Sequence, residues 1–124
     1  MSHFTIEELT VTSTGLDNTP NDEQIAALNA LVDNILDPLR DLLGAPITVN
    51  SGFRSQEVNA RVGGVPTSQH TKGEAADIVC YDNQKLFDLI KANLPFDQVI
   101  DEYDLKWVHV SYSDRNRRQE LKIG

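Results

Sequence analysis

The chain has 124 residues, 40% of them apolar and 24% charged, with a formal net charge of −8 at neutral pH. That length suits one compact domain, and the composition excludes a low-complexity or disordered chain. The acidic balance argues against general nucleic-acid binding, which depends on neutralising phosphates, and no apolar run approaches the ~20 residues needed to cross a bilayer.

The N-terminal segment, Met1 to about Asn18, reads as a polar lead-in in which Phe4, Ile6 and Leu9 can dock on a core. It carries no basic stretch followed by an apolar one, so no secretory signal is read and synthesis in the cytoplasm is expected. Thr19-Pro20 then opens a helix, with Thr19 as cap and Pro20 at its first position. Ile25, Leu28, Val32, Ile35, Leu39 and Leu42 follow at steps of three and four, which predicts one continuous apolar face. Pro38 should kink that helix and Gly44 should end it.

Pro46 to Asn50 predicts a short strand, and Ser55 caps a short helix that Gly63-Gly64 stops. Val65 to Glu74 reads as a loop and Ala75 to Tyr81 as a strand. Asn83 caps a second apolar-faced helix. Phe96–Tyr103 and Lys106–Tyr112 predict two strands joined by a two-residue turn at Asp104-Leu105. The charged tail, Ser113 to Gly124, is expected to be loop with a last short strand. Helix first, then strands with interleaved helices, predicts an α+β fold: a small antiparallel sheet flanked by helices, in a single domain over residues 1–124.

Chemistry concentrates in Ser68-Gln-His70-Thr-Lys-Gly73-Glu-Ala75-Ala-Asp77 and in Trp107-Val-His109. Two histidines and an aspartate are good zinc ligands, and three protein ligands leave one coordination position free, the mark of a catalytic metal. Gly73 lets the chain turn between His70 and Asp77. On a strand, Asp77 shares a face with Ala75 and Val79, while Ala76, Ile78 and Cys80 point away. An aspartate in such an apolar strand needs a compensating partner, which a divalent cation supplies. His109 shares its face with Trp107 and Ser111. If Asp104-Leu105 is the turn, Glu102 lies opposite Trp107 and diagonal to His109 on that face. Taken singly, His70 also fits an ordinary loop residue and His109 a satisfied sheet residue, so spacing alone leaves both readings open. His3, near the terminus without a matching partner, reads as no ligand. Cys80, the single cysteine, excludes an internal disulfide and reads as a small buried hydrophobe. Ser51 and Ser111 lack the histidine and acid that a serine nucleophile needs.

The pattern Ser68-x-His70-x-x-Gly73-x-Ala75-x-Asp77 with a later Trp107-x-His109 resembles the zinc D-alanyl-D-alanine carboxypeptidase family. That family includes D,D-dipeptidases and phage endolysins that cut L-alanyl-D-glutamate bonds, and it shares its fold with the hedgehog signalling domain. Ser51-Gly-Phe-Arg54-Ser resembles the family's upstream segment. The likeness extends from Phe4 to about Gln119 and is greatest to short phage-type members. It implies Zn²⁺ held by His70, Asp77 and His109, with Arg54 polarising or holding substrate and Ser68 near it. It further implies a peptidoglycan peptide as substrate and action at the bacterial cell wall after release or delivery; from charge and hydropathy no nucleic-acid or membrane partner is expected, and the oligomeric state is left open, with a monomer as the expectation. Many relatives carry the general base three positions before the last histidine; here that position is Lys106. Glu102 is the substitute expected from the hairpin register, with Asp104 the weaker candidate at the turn tip. The departure at Lys106 also favours an alternative: a zinc-binding module of this fold without catalysis, or a virion-associated structural domain. Arg115, Arg117 and Arg118 are expected to be a solvated segment, with anionic wall polymers or substrate carboxylates as other possible partners.

Overall fold

The computed structural model describes residues 3–124. In chain order the elements are α1 (Ile6–Leu9), α2 (Asp22–Leu31), a π-helical turn (Val32–Leu36), α3 (Asp37–Leu43), β1 (Thr48–Ser51), α4 (Gln56–Arg61), a 3-10 turn (Gln69–Lys72), β2 (Ala75–Val79), α5 (Asn83–Asn93), β3 (Gln98–Glu102), β4 (Trp107–Ser111) and β5 (Gln119–Ile123). Among the described residues no helix is long and apolar enough to cross a membrane.

Asn21, not Thr19, caps α2. Its side chain accepts from the Gln24 backbone N–H while the Gln24 side chain accepts from the Asn21 N–H, which satisfies two end donors reciprocally. Thr19 instead closes a turn with Asp17. The long helix survives Pro38 because the backbone widens just before it. The Asp37 N–H bonds back to the Val32 carbonyl, and Pro38, which has no N–H to offer, takes a first-turn position of α3. The wider turn also shifts the phase of the apolar face. Leu28, Val32, Ile35 and Leu39 are buried as their spacing predicts, but Leu43 returns to the core and Leu42 is 48% exposed. Gly44 ends α3 in the left-handed conformation.

The sheet order is β1-β2-β4-β3-β5. β1–β2, β2–β4 and β4–β3 are antiparallel as expected. β5 makes the sheet mixed: it runs antiparallel to β4 but on the far side of β3, so its neighbour β3 is parallel to it. Ala76, Ile78, Val99, Val108 and Val110 face the helices and join Leu28, Leu31, Ile35, Leu39, Leu86 and Ile90 in the core. Each fully buried Leu or Ile contributes about 1.5–3 kcal/mol. The alternate residues, among them Asp77, Ile100, Glu102, Trp107 and His109, form the other face, and that face carries the site.

Phe4 and Leu9 dock on the core as expected, although α1 was not evident from the sequence. Asp82, not Asn83, caps α5 by accepting from the Lys85 N–H. The Asn83 side chain instead accepts from the Cys80 N–H and donates to the Leu105 carbonyl. Cys80 is half-buried rather than buried; its sulfur bonds the Asp82 backbone. His3 is tied to α3 through Asp37 and Asp41.

Candidate metal centre

Three separate stretches converge on one point. Asp77 sits in β2 directly opposite His109 in β4. His70 is delivered by the 3-10 turn, whose start Ser68 caps by accepting from the His70 N–H and whose end is Gly73 at φ 75°. The nearest donor atoms of His70, Asp77 and His109 all lie within 4.8 Å of one another, and all three side chains are buried. Asp77 Oδ1 is 3.3 Å from His70 Nε2 and 3.0 Å from His109 Nδ1. The two imidazole rings meet edge to face, 5.0 Å between centroids.

The hydrogen bond behind His70 decides how it can serve. His70 Nδ1 is 2.7 Å from the Gly52 carbonyl, which can only accept, so Nδ1 carries the proton. In the neutral ring, Nε2 then presents its lone pair to Asp77 Oδ1, another acceptor, at 3.3 Å. Two lone pairs facing each other across that gap repel, and a cation between them removes the conflict. The backing of a ligand histidine by a carbonyl is also how metal-binding imidazoles are oriented. Oxygen and nitrogen donors of this kind suit zinc. The residues therefore fit a divalent metal with three protein ligands.

Asp77 is ionised. Burial pushes its carboxyl up, but the hydrogen bond from His109 leads the contributions that outweigh burial and hold it well below the ordinary range. Its second oxygen is 3.3 Å from Arg54 Nη2. Arg54 is anchored in turn by donating from Nε to Ser51 Oγ at 2.9 Å. A bulge between Val49 and Ser51 brings Ser51 opposite Asp77, and so sets both Arg54 and the Gly52 carbonyl beside the cluster.

The cluster lies in a cleft of about 530 Å³ whose lining includes Ser68, Gln69 and Lys72 of the His70 turn and Arg115, Arg117 and Ile123 of the C-terminal segment. Glu102 and Trp107 line it too, and they pair opposite each other as the hairpin register predicts. Glu102 Oε2 accepts from Trp107 Nε1 at 2.8 Å. The turn differs from the expected two-residue loop: the strands stop at Glu102 and Trp107, and Tyr103, Asp104 and Leu105 are all left-handed. Such residues cost about 1–2 kcal/mol each. Bonds from Leu105 N–H to Asp101, Lys106 N–H to the Glu102 carbonyl and Asn83 to the Leu105 carbonyl hold the turn. Asp104 and Lys106 are exposed on this turn and do not line the cleft.

Sequence reasoning missed Asp97. Its carboxylate is fully buried and accepts from Arg117 Nε, Nη2 and backbone N–H, from Ser113 Oγ and from Gln69 Nε2. The bonds from Arg117 hold it well below the ordinary carboxyl range, against burial, which raises it. This hub ties the C-terminal segment to the turn that carries His70. The signal was present: a carboxylate next to Phe96 and the apolar Val99-Ile100, with an arginine cluster downstream. Arg117 and Arg118 are accordingly not a free solvated stretch; Arg118 donates to the Leu94 and Lys91 carbonyls and covers the Phe96 ring at 4.6 Å.

The profile of the Peptidase M15 family matches residues 2–111. The chain belongs to the peptidase M15 family. The zinc D-Ala-D-Ala carboxypeptidase of Streptomyces albus G is 49% identical over 55 residues, a stretch that is 43% of this chain and 22% of that protein. The M15 match contains the whole converging cluster and Glu102. It ends at Ser111, so the cleft wall made by Arg115, Arg117 and Ile123 lies outside it.

Proposed function

We propose that this M15 domain, residues 1–124, is a zinc peptidase that hydrolyses amide bonds in peptidoglycan stem peptides, as a D-Ala-D-Ala carboxypeptidase or an L-Ala-D-Glu endopeptidase. The convergence of His70 Nε2, Asp77 Oδ1 and His109 Nδ1 beside a cleft carboxylate carries this reading. Family membership supports it, and the likeness to a zinc carboxypeptidase supports both the metal and the substrate class.

His70, Asp77 and His109 would hold the zinc. When bound, zinc supplies Lewis acidity and makes water acidic enough to serve as nucleophile near neutral pH. Glu102 takes the proton of the attacking water and returns it to the leaving amine. Trp107, bonded to Oε2, fixes that carboxylate and leaves Oε1 for the proton. Arg54 lines the cleft, and its guanidinium is the group to face the oxygen of the scissile carbonyl as negative charge develops there. Ser68 contributes a hydroxyl near the peptide and caps the His70 turn.

Lys106 at the position three before His109 would favour a non-catalytic zinc module; Glu102 on the cleft wall favours the enzyme. The test is mass analysis of fragments released from intact peptidoglycan by the zinc-loaded protein, with and without chelator. Zinc-dependent release of peptides with new termini supports the reading and names the bond. Zinc binding with no release from wall or purified stem peptides would leave the non-catalytic module.

A further inference from the structure

On a protein of net charge −8, four cationic side chains line this one cleft: Arg54, Lys72, Arg115 and Arg117, against Asp77 and Glu102. Their partners distinguish them. Arg54 is committed to Ser51 and Asp77. Arg117 binds both oxygens of Asp97, which neutralises that buried charge. Arg115 is different. Its Nη2 is 3.7 Å from Asp97 Oδ2, too long for a hydrogen bond, and that oxygen already accepts from Gln69, Ser113 and Arg117. The Arg115 side chain is 51% exposed, while its backbone is fixed by a bond from its N–H to Ser113 Oγ, itself tied to Asp97. A half-exposed guanidinium on a fixed backbone, facing a cleft, is suited to bidentate recognition of a carboxylate.

Resting on the peptidase reading above, we propose that the segment after the M15 match is a specificity wall on which Arg115 receives a free carboxylate of the bound peptide, so that the site prefers a carboxylate-bearing peptide to its carboxamide counterpart. A carboxamide offers one acceptor and presents an NH₂ to a group that only donates, so it forfeits one bond of the pair and the charge attraction. Lys72, exposed at the end of the 3-10 turn and also lining the cleft, adds positive potential.

The test uses two stem peptides that differ only in one carboxylate replaced by carboxamide, with turnover and calorimetric binding measured for the zinc-loaded wild type, Arg115→Ala and Arg115→Glu. The wild type is expected to favour the carboxylate peptide about tenfold in kcat/KM, the scale of one charge-assisted bond, through KM. Arg115→Ala brings the ratio close to one and Arg115→Glu inverts it, with zinc content unchanged. Turnover with no preference in the wild type, or a preference that survives Arg115→Ala, overturns the inference. Absence of turnover with an Arg115-dependent binding preference would instead remove the peptidase reading and leave the carboxylate site standing.

Discussion

Asp77 and His109 face each other across the β2–β4 ladder, with Oδ1 and Nδ1 3.0 Å apart. The sheet thus brings together two of the three donors of the cluster through backbone pairing alone, before any metal is considered. The third, His70, comes from a short turn held by the Gly52 carbonyl behind it. A cluster assembled by a ladder and one backed imidazole is preorganised, so ion binding should add stability rather than create the fold.

Zinc should therefore raise the unfolding temperature of a domain that is already folded without it. At free zinc 100-fold above Kd the gain is about 2.7 kcal/mol. Asp77→Asn should abolish this zinc-dependent gain. Calorimetric scans with chelator and with zinc measure it, and a chelated protein lacking native near-ultraviolet dichroism would contradict the preorganised site.

Glu102→Gln keeps the shape of the side chain and removes the base. Turnover should fall by about 10²–10⁴-fold while zinc stays bound at one per chain. Trp107→Phe removes the indole N–H that fixes Glu102 Oε2. It should lower kcat about tenfold, the scale of one lost hydrogen bond to a charged group, with KM and zinc content unchanged. Stopped assays on a stem peptide with metal analysis separate the two effects. Loss of zinc from either variant would show that the pair acts on the metal cluster instead.

The sequence made part of this legible because periodicity two is a strong constraint. Once Asp77 and His109 were placed on strands, the faces of Ala76, Ile78, Val108 and Val110 followed, and so did Glu102 opposite Trp107. What stayed hidden depends on backbone irregularity and on long-range pairing. The bulge after Val49 and the left-handed run Tyr103–Leu105 have no local composition signal, and Pro38 announces an irregularity in the helix without specifying a widened turn. Asp97 finds Arg117 twenty residues on, across a parallel strand pair that short-range patterns do not reveal.

Asp97→Asn tests that hidden hub. A carboxyl held low in the folded state by Arg117 contributes its full stability above its unfolded value, ~3.9, and loses it as pH falls through the folded value. Asp97→Asn should therefore cost roughly 3 kcal/mol at pH 7, the scale of a broken buried pair, and the gap to wild type should narrow below about pH 4. Urea unfolding from pH 3 to pH 7 gives both curves. A gap that stays constant over that range would mean that the charge of Asp97 does not contribute.

Gly73→Ala should damage stability and metal binding together. Gly73 has φ 75°, and an added Cβ would stand 2.5 Å from the Gln24 carbonyl oxygen and 3.3 Å from Leu28 Cγ. The left-handed conformation alone costs a non-glycine residue about 1–2 kcal/mol. The backbone contact adds to this, because α2 is also tied to the turn by Gln24 Nε2 donating to the Thr71 carbonyl at 3.1 Å. Relief requires α2 and the turn to separate, and the turn carries His70. Gly63→Ala is the control: its φ is 81°, but nothing lies within 4 Å of the new Cβ. It should cost only the conformational part, about 1–2 kcal/mol, with zinc affinity unchanged. Urea unfolding and competitive zinc titration of both variants measure this. Equal zinc affinity in the two would show that the position of the turn does not depend on the close approach of Gly73 to α2.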